Sequence, residues 1–312
     1  MNDTGRILII DDDSAFLETY EDLLSAQGYV VEQATNRTKA FERLDEPGWS
    51  VVIVDQKLNG PGGPDDGLDL LAEVAMRAPG AKAILATAYA SPSAVERAFK
   101  DGAYDYLEKT PTFPALLRVK VRNAMEVVRE RWLGSLDPSA TENAIHSTWE
   151  AVRIEKDRQK KGRLLEELME LLLKTIAGFN RLGTRMKNEM EELDILVQNN
   201  STDPLWQKES QYILVECKNW SSEHVGTKEL RDLLGKLDAG YGRCRLALFV
   251  AVGGFADTVR QYLHSHARED RLVMLIGPGD LDNLVKSSDR NATLHDIHRR
   301  AVVASFDHGR DT

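Results

Sequence analysis

Three acidic residues in the first third of the chain stand where strand-like apolar runs end. Asp11 and Asp12 close the run that starts at residue 6, and Asp55 closes the run VVIVD at 51–55. In open α/β sheets, ligand sites form at the carboxyl ends of the strands, so these carboxylates should meet there. They would repel one another unless a hard cation joined them, and Mg²⁺ prefers oxygen ligands. The pattern predicts a magnesium site made of Asp11, Asp12 and Asp55.

Two further reactive residues end later strand-like runs. Thr87 ends the fourth run and Lys109 ends the fifth. A hydroxyl and an ammonium group that face a carboxylate–Mg²⁺ cluster provide the hydrogen-bond donor and the positive charge that a bound phosphoryl group requires. Asp55 is then predicted to be the nucleophile that accepts this group as an acyl phosphate. A single acid at a strand end is usually only solvated, but the ordered set of positions makes that alternative weak.

A second reactive set consists of Asp194, Glu216 and Lys218. Glu216 and Lys218 are two residues apart on a strand-like run, so their side chains share one face of the strand. If strand 192–197 pairs with strand 211–218, Asp194 reaches the same face. Two carboxylates can then bind Mg²⁺ while the ammonium group positions or deprotonates a water, which is metal-assisted attack on a phosphodiester. The alternative is that these residues are surface charges on edge strands.

The apolar runs of the first part alternate with amphipathic helical patterns. Strands and helices are expected in turn at 6–11, 14–27, 29–33, 39–44, 51–55, 68–76, 83–87, 93–101 and 104–107. Continuous apolar strands separated by helices are typical of a parallel sheet that is covered on both faces. Residues 1–130 are therefore predicted to form a doubly wound α/β domain with a five-stranded parallel sheet.

A helical region follows this first domain. Helical patterns occupy 116–132 and 139–160, and the polar stretch at 155–163 favours a domain boundary near Gly162. We therefore expect residues 131–161 to form a helical linker.

The last part of the chain predicts a second α/β domain. We expect this domain to contain a mixed sheet over residues 162–290, and we expect a C-terminal helix and tail at 291–312. Its strands and helices are expected at 164–177, 192–197, 211–218, 227–238, 245–252, 256–267 and 272–276.

Charge is divided unevenly along the 312 residues. Residues 1–112 contain 10 Lys+Arg and 20 Asp+Glu out of 40 and 50 in the whole chain, so residues 113–312 contain 30 of each. The second part is neutral on average, and a nucleic-acid surface there must be a local patch. No apolar run approaches the ~18 residues of a bilayer span, and the N-terminus lacks the basic start of a signal peptide. We expect a cytoplasmic protein without a membrane partner, whose Cys217 and Cys244 are free thiols.

Four segments resemble the receiver domains of bacterial two-component response regulators. They are ILIIDD at 7–12, VVIVD at 51–55, ILAT at 84–87 and GAYDYLEKT at 102–110. The resemblance extends over residues 5–130. It implies a flavodoxin-like fold that receives a phosphoryl group from a histidine kinase or a phosphotransfer protein.

The resemblance also implies a role for each residue of the first reactive set. Asp11 and Asp12 hold Mg²⁺ together with Asp55, which is phosphorylated. Thr87 and Lys109 contact the phosphoryl group.

Two features near this site need separate mention. Tyr106 matches the aromatic residue that swings inward with Thr87 on activation, with plain packing as the alternative. The family usually has a proline four residues after the acceptor and a glycine eight residues after it. Here residue 59 is Asn, and the equivalent Gly67 lies twelve residues after Asp55. The loop at 59–67 is therefore predicted to be about four residues longer than usual.

The second reactive set resembles the active site of the PD-(D/E)xK restriction-endonuclease-like fold, in the branch near the Mrr-type enzymes. Leu193 replaces the proline that precedes the aspartate in the name of the fold. The resemblance extends over residues 160–285. It implies that Asp194, Glu216 and Lys218 are catalytic, and that the two carboxylates hold Mg²⁺ for cleavage of DNA.

Two flanking segments also resemble this branch. GRLLEEL at 162–168 is similar to its first helix, where Glu166 adds to the metal site. A solvated helix face is an equally weighted alternative for Glu166. GGF at 253–255 is similar to the turn that precedes the next helix.

Other candidate sites are weaker. One helix carries Lys228, Arg231 and Lys236, which contact a DNA backbone in one interpretation and lie on a solvated face in the other. His295 and His298 have metal-like spacing but no partner pattern of Cys or acids, so no zinc site is expected. No helix-turn-helix pattern stands out.

Three functions are compatible with these patterns. The first is a Mg²⁺-dependent deoxyribonuclease controlled by phosphorylation at Asp55, coupled through a homodimer of the receiver and the helix 139–160. Defence against phage is a setting for it that rests on family analogy alone. The second is a non-enzymatic regulator whose nuclease-like domain binds DNA or a protein without cutting. The third is a phosphate sink whose second domain serves only for oligomerisation.

Overall fold

The chain divides into two compact units, Met1–Asp137 and Pro138–Thr312. The computed structural model describes residues 5–60, 62–187, 192–220, 223–239, 243–266 and 271–306. Among the helices in these ranges, none is long and apolar enough to cross a membrane.

The first unit is a five-stranded parallel sheet with helices on both faces. The strand order is β2-β1-β3-β4-β5, and all of its strand pairs are parallel. This order confirms the predicted doubly wound α/β domain. Its elements are β1 (Arg6–Ile10), α1 (Ser14–Ser25), β2 (Val30–Ala34), α2 (Arg37–Leu44), β3 (Trp49–Asp55), α3 (Asp66–Arg77), β4 (Lys82–Thr87), α4 (Pro92–Lys100), β5 (Asp105–Glu108) and α5 (Phe113–Ser135).

The central strand β3 shows why the apolar runs form this sheet. Every residue of β3 is buried. Successive side chains point to opposite faces, so Val52 and Val54 join one core cluster while Val51 and Ile53 join the other. Helices α2, α3 and α4 cover the first cluster, and α1 and α5 cover the second. A strand that is covered on both faces requires an apolar run, and this run ends at Asp55, the last residue of the strand.

The second unit contains the predicted mixed sheet, in the order β10-β9-β8-β7-β6. The β6–β7 and β7–β8 pairs are antiparallel, whereas the β8–β9 and β9–β10 pairs are parallel. Its elements are α6 (Pro138–Ile154), α7 (Arg158–Lys174), β6 (Phe179–Lys187), β7 (Glu192–Asn199), a short 3-10 turn (Trp206–Lys208), β8 (Tyr212–Lys218), α8 (Thr227–Ala239), β9 (Cys244–Ala251), α9 (Asp257–Ser265), β10 (Leu272–Ile276), α10 (Pro278–Lys286) and α11 (Arg290–Phe306).

The helical region between the sheets differs from the predicted linker. The helix expected at 139–160 is two helices, because the chain leaves helical geometry after Ile154 and the Asp157 carboxylate caps α7 by accepting from the Lys160 backbone N–H at 2.8 Å. Helix α6 belongs to the second unit, where the Trp149 indole N–H donates to Asp282 at 2.8 Å. The division therefore falls after Asp137 rather than at a separate linker over 131–161.

Gly162 lies inside α7 rather than at a boundary. A Cβ built at this position would lie 3.0 Å from Asn219 Nδ2, so the glycine permits α7 to approach the chain that leaves β8. Strand β6 and helix α10 are further elements that the sequence patterns did not predict.

Candidate functional sites

The first candidate site lies at the carboxyl ends of β1 and β3. These strands are neighbours in the sheet, with Ile10 paired to Val54. The carboxylate oxygens of Asp11, Asp12 and Asp55 accordingly come within 4.8 Å of one another. Asp11 and Asp55 are buried, whereas Asp12 is exposed. The cluster is thus open on one side and offers the all-oxygen donor set that suits Mg²⁺.

Lys109 reaches into this cluster from the end of β5. Its Nζ lies 2.7 Å from Asp11 Oδ2 and 2.6 Å from Asp55 Oδ1. The ammonium group also lies over the ring of Phe16, 4.0 Å from the ring centroid. The ammonium group of Lys109 is therefore held by two carboxylates and a ring, and it faces the predicted acceptor.

Burial is the main influence on the pKa values of Asp11 and Asp55. It raises the pKa of Asp11 to about 6 and also raises the pKa of Asp55, although the Lys109 charge opposes both shifts. Burial lowers the pKa of Lys109, but the carboxylates of Asp11 and Asp55 outweigh it, so the net shift is upward. Lys109 therefore remains charged near neutrality.

The predicted switch residues lie on β4 and β5. Asp55 pairs with Ala86, so Thr87 is the next residue along β4, and its Oγ1 accepts a hydrogen bond from the Tyr89 backbone N–H at 2.9 Å. Tyr106 packs against the core cluster on the α4 side of the sheet, and within the described residues its buried hydroxyl has no hydrogen-bond partner. Tyr106 is thus turned inward with an unsatisfied polar atom.

The lengthened loop after Asp55 folds back onto the acidic cluster. The Gly60 backbone N–H donates to Asp12 Oδ2 at 2.7 Å. Within the loop, Lys57 Nζ donates a hydrogen bond to the Gly63 carbonyl oxygen at 2.7 Å. The Asp66 carboxylate accepts from the Leu58 backbone N–H at 2.9 Å. The additional residues therefore form an ordered contact with a predicted metal ligand.

The second candidate site lies on the paired strands β7 and β8. Ile195 pairs with Val215, which confirms the predicted pairing and makes Asp194 and Glu216 the next residues on their strands. The Asp194 Oδ2 atom accepts a hydrogen bond from the Cys217 backbone N–H at 2.7 Å. Asp194 is thus tied to the strand that carries Glu216.

Glu216 lies between two ammonium groups. Lys218 Nζ lies 2.8 Å from Glu216 Oε1, and Lys236 Nζ lies 2.7 Å from Glu216 Oε2. The first contact agrees with the expectation that residues two apart on β8 share a face. Lys236 reaches the same carboxylate from α8, so the alternative of a merely solvated face does not describe this lysine. The sequence analysis missed this contact.

Glu166 on α7 is buried, with 7% of its surface exposed. A solvated helix face, the alternative weighed for it, does not describe this position. Its charge contributes to raising the pKa of Asp194. Helix α7 therefore brings a third carboxylate toward the β7–β8 pair.

The surroundings of Asp194 oppose its ionisation. Burial, followed by the charges of Glu216 and Glu166, raises the pKa of Asp194 to about 7. Burial lowers the pKa of Lys218, but the Glu216 carboxylate outweighs this effect and raises it overall. Besides burial, the raised pKa of Asp194 reflects repulsion by neighbouring negative charges, and a bound cation would relieve this repulsion.

The two sites differ in the spacing of their carboxylate oxygens and in the partners of those oxygens. Among the described residues, only Asp11, Asp12 and Asp55 bring three candidate ligand atoms within 4.8 Å of one another. In the second site, the two oxygens of Glu216 are directed toward lysines instead. A cation bound by Asp194 and Glu216 would have to replace at least one of these ion pairs.

Three further sets of residues named in the sequence analysis lie outside these sites. His295 and His298 lie edge-on to the ring of Trp206, and they face the carboxylates of Asp203 at 3.1 Å and Glu209 at 2.7 Å. They join α11 to the loop before β8. Cys217 and Cys244 are free, as expected, and half-buried. The GGF turn at 253–255 does precede α9.

Two families match this chain. Residues 7–120 match the family described as response regulator receiver domain, and residues 158–285 match the family described as restriction endonuclease.

The curated relatives match the first part of the chain. The alginate biosynthesis transcriptional regulatory protein AlgB of Pseudomonas aeruginosa is 35% identical over 123 residues, which are 39% of this chain and 26% of that protein. The transcriptional regulatory protein ZraR of Escherichia coli K12 is 31% identical over 115 residues, which are 37% of this chain and 25% of that protein. The chain spans about a quarter of the length of these relatives.

Solved structures of receiver domains are also similar. A CheY-like receiver domain protein from Methanospirillum hungatei JF-1 is 30% identical, and the match covers 41% of this chain and 98% of that one, with a TM-score of 0.37. A receiver domain protein from Clostridium thermocellum is 30% identical over 39% of this chain and 94% of its own, with a TM-score of 0.35.

Proposed function

Because this chain joins a response regulator receiver domain to a restriction endonuclease domain, we propose that it is a Mg²⁺-dependent deoxyribonuclease controlled by phosphorylation. One observation carries the proposal: Asp194, Glu216 and Lys218 meet on the antiparallel pair β7–β8. Two carboxylates beside an ammonium group on paired strands are the arrangement that metal-assisted hydrolysis of a phosphodiester needs.

Asp194 and Glu216 are the residues that would hold Mg²⁺ in the second unit, with Glu166 as the further acid. All three offer carboxylate oxygens, the donor type that this ion takes. Bound there, the ion would supply Lewis-acid stabilisation of the charge that develops on the phosphodiester.

Lys218 is proposed to orient the attacking water and to stabilise negative charge. The pKa of Lys218 is raised overall, because the Glu216 carboxylate outweighs the effect of burial. An ammonium group that stays protonated near neutrality can donate hydrogen bonds but cannot accept a proton from water. Positioning is therefore favoured over general-base action for this residue.

Asp55 is proposed to be the residue that receives the regulatory phosphoryl group. A histidine kinase or a phosphotransfer protein would supply the phosphoryl group, and Asp11, Asp12 and Asp55 would hold Mg²⁺ during transfer. Lys109 already faces the Asp55 carboxylate, where its charge can neutralise a bound phosphoryl oxygen. Thr87, at the end of β4, would donate from its hydroxyl.

Phosphorylation is proposed to act through dimerisation of the receiver in the cytoplasm. The inward ring of Tyr106, with its unsatisfied hydroxyl, would move together with Thr87 when the phosphoryl group binds. Helix α6 follows α5 directly in the chain and belongs to the second unit, so it would pass this change onward. Defence against phage DNA is the biological setting we propose, on family analogy alone.

Cleavage of plasmid DNA tests the enzymatic part of the proposal. Wild type would be incubated with Mg²⁺, with and without acetyl phosphate, beside Asp194→Asn and Lys218→Ala. The matched control is Lys286→Ala, which removes an exposed lysine from α10. Cleavage that wild type and Lys286→Ala share, and that both site variants lose, supports the nuclease. A wild type that does not cut under either condition contradicts it.

Mass spectrometry after acetyl phosphate treatment tests the input separately. Wild type should gain one phosphoryl group, and Asp55→Asn should gain none. Modification of Asp55→Asn to the level of wild type would exclude Asp55 as the acceptor.

A second candidate is a regulator that binds DNA without cutting it. It is favoured by the two ion pairs that occupy both oxygens of Glu216. Electrophoretic mobility shifts with plasmid fragments, measured on a wild type that does not cleave, would support this candidate.

A further inference from the structure

Lys236 contacts the second site, although the family motif does not include it. It lies on α8, eighteen residues beyond Lys218, and its Nζ is 2.7 Å from Glu216 Oε2. Its side chain is only 13% exposed, less than the 25% of Lys218. A nearly buried lysine at this place is paired with the same carboxylate that is proposed to bind metal.

We propose that Lys236 is a positioning residue that competes with the divalent cation for Glu216 and so sets the metal affinity of the second site. This inference rests on the proposed function, because it assumes that Glu216 is a metal ligand. Lys236 holds Glu216 in the metal-free protein, and its ammonium group leaves that carboxylate when the cation enters.

The geometry of Glu216 supports the competition. Lys218 occupies Oε1 and Lys236 occupies Oε2, so the carboxylate has no oxygen that is distant from an ammonium group. A divalent cation near either oxygen is repelled by the adjacent positive charge, and this repulsion is strong where water is largely excluded.

Lys236 is the lysine that can move away. Lys218 shares a strand with Glu216 and is fixed two residues from it, whereas Lys236 reaches the carboxylate across from a helix. Its long side chain places the ammonium group at the end of several rotatable bonds.

A displaced Lys236 can pair with another anion. Burying an ammonium group is costly unless it is paired. The phosphodiester that the site is proposed to bind is such an anion, and it arrives with the metal-loaded state. Release of Glu216 by Lys236 and binding of substrate are thereby linked.

The probe for this inference is Mn²⁺ alone, titrated by calorimetry into the full chain. Wild type, Lys236→Met and Lys236→Gln would be compared, with Lys228→Met as the matched control from the exposed face of α8. The same titration on Asp194→Asn identifies the heat of the second site, because that variant keeps the receiver acids. Thermal unfolding checks that each variant is folded.

Removal of the competing charge should tighten Mn²⁺ binding at the Asp194-dependent site on the order of ten-fold in Lys236→Met. Lys228→Met should bind as wild type does. The Mg²⁺ concentration that gives half-maximal cleavage should fall in the same variant. A purely structural role would lower the unfolding temperature but would not strengthen metal binding.

Unchanged or weaker Mn²⁺ binding in both Lys236 variants would overturn the inference, even if wild type cuts DNA. If Lys236→Met does not fold, Lys236→Gln decides, since its amide retains a donor without the charge. A wild type without any Asp194-dependent Mn²⁺ site would overturn both this inference and the proposed function.

Discussion

Gly67 lies directly against the peptide of Asp55. A Cβ built at residue 67 would overlap the Asp55 carbonyl oxygen and would lie 2.8 Å from the carbonyl carbon. The Gly67 backbone N–H also donates to the Gln56 carbonyl oxygen at 3.0 Å. The loop therefore returns the start of α3 to the strand that carries Asp55, and only a residue without a side chain fits there.

Replacing Gly67 by alanine should destabilise the first unit by roughly 2–4 kcal/mol, because backbone atoms must move to admit the methyl group. Chemical denaturation followed by circular dichroism measures this loss. The control is Gly80→Ala, since a Cβ at residue 80 has no neighbour within 4 Å. Equal stability of the two variants would contradict the close approach.

Removing the charge of Lys109 should nearly abolish phosphorylation. Lys109 is bonded to both Asp11 and Asp55 at 2.6–2.7 Å, so Lys109→Met leaves these carboxylates without their cation and the phosphoryl group without a donor. We expect transfer from acetyl phosphate to slow by ~100-fold or more, the usual cost of losing one such donor. Intact-protein mass spectrometry at timed intervals measures the rate, and the exposed Lys39→Met should match wild type.

Asp194 should make the metal-free second unit less stable as the pH rises. The pKa of Asp194 is about 7 in the folded protein against an ordinary 3.8, so the folded state binds the proton more tightly than the unfolded state. Stability is then lost as the pH rises between these two values. Asp194→Asn lacks this loss.

Unfolding in denaturant, with a chelator present, measures the effect. Relative to wild type, Asp194→Asn should gain on the order of 1–3 kcal/mol between about pH 5 and about pH 8. An identical pH dependence of the two proteins would show that Asp194 ionises in its ordinary range.

The anchor of α6 should be a major source of stability in the second unit. Arg290 donates to both oxygens of Glu142 at 2.5 and 2.6 Å, and also to the carbonyl oxygens of Leu284 at 2.9 Å and Val285 at 3.2 Å. Its side chain is 5% exposed. Loss of this buried group leaves several acceptors unsatisfied, so Arg290→Met should cost roughly 2–4 kcal/mol.

Two comparisons sharpen the test of this anchor by equilibrium unfolding. Glu142→Gln should cost less than Arg290→Met, because the carbonyl contacts of Arg290 survive. Arg299→Met should lie within about 0.5 kcal/mol of wild type, since Arg299 is exposed and pairs only on the helix surface.

The parallel strands were predictable because their burial is visible in the residues themselves. Strand β3 is buried along its whole length, so nothing interrupts its apolar run. Strand β6 lies at the edge of its sheet, where FNRLGTRMK need not be apolar throughout, and no pattern distinguishes it from a loop. The end of α6 and the start of α7 around residues 155–157 were not predicted for a similar reason. The polar residues there suit a helix surface, a cap or a linker equally.

The reactive sets were predictable to the extent that they follow strand periodicity. Asp55 ends a strand, and Glu216 and Lys218 share a face of another. Lys236 depends on how α8 crosses the sheet, and a lysine on an amphipathic helix usually indicates only a solvated face. The position of Glu166 was uncertain in the same way, since only packing decides which side of α7 is covered.

The pairing of Glu216 with two lysines has a consequence for what happens when metal is removed from the second site. Domains that are folded by zinc lose their structure in chelator, because nothing else offsets the charges of their ligands. Here the ammonium groups of Lys218 and Lys236 offset the charge of Glu216, and burial favours the neutral form of Asp194. Chelation should therefore remove cleavage and leave the fold, and returning the metal should restore activity without any refolding step.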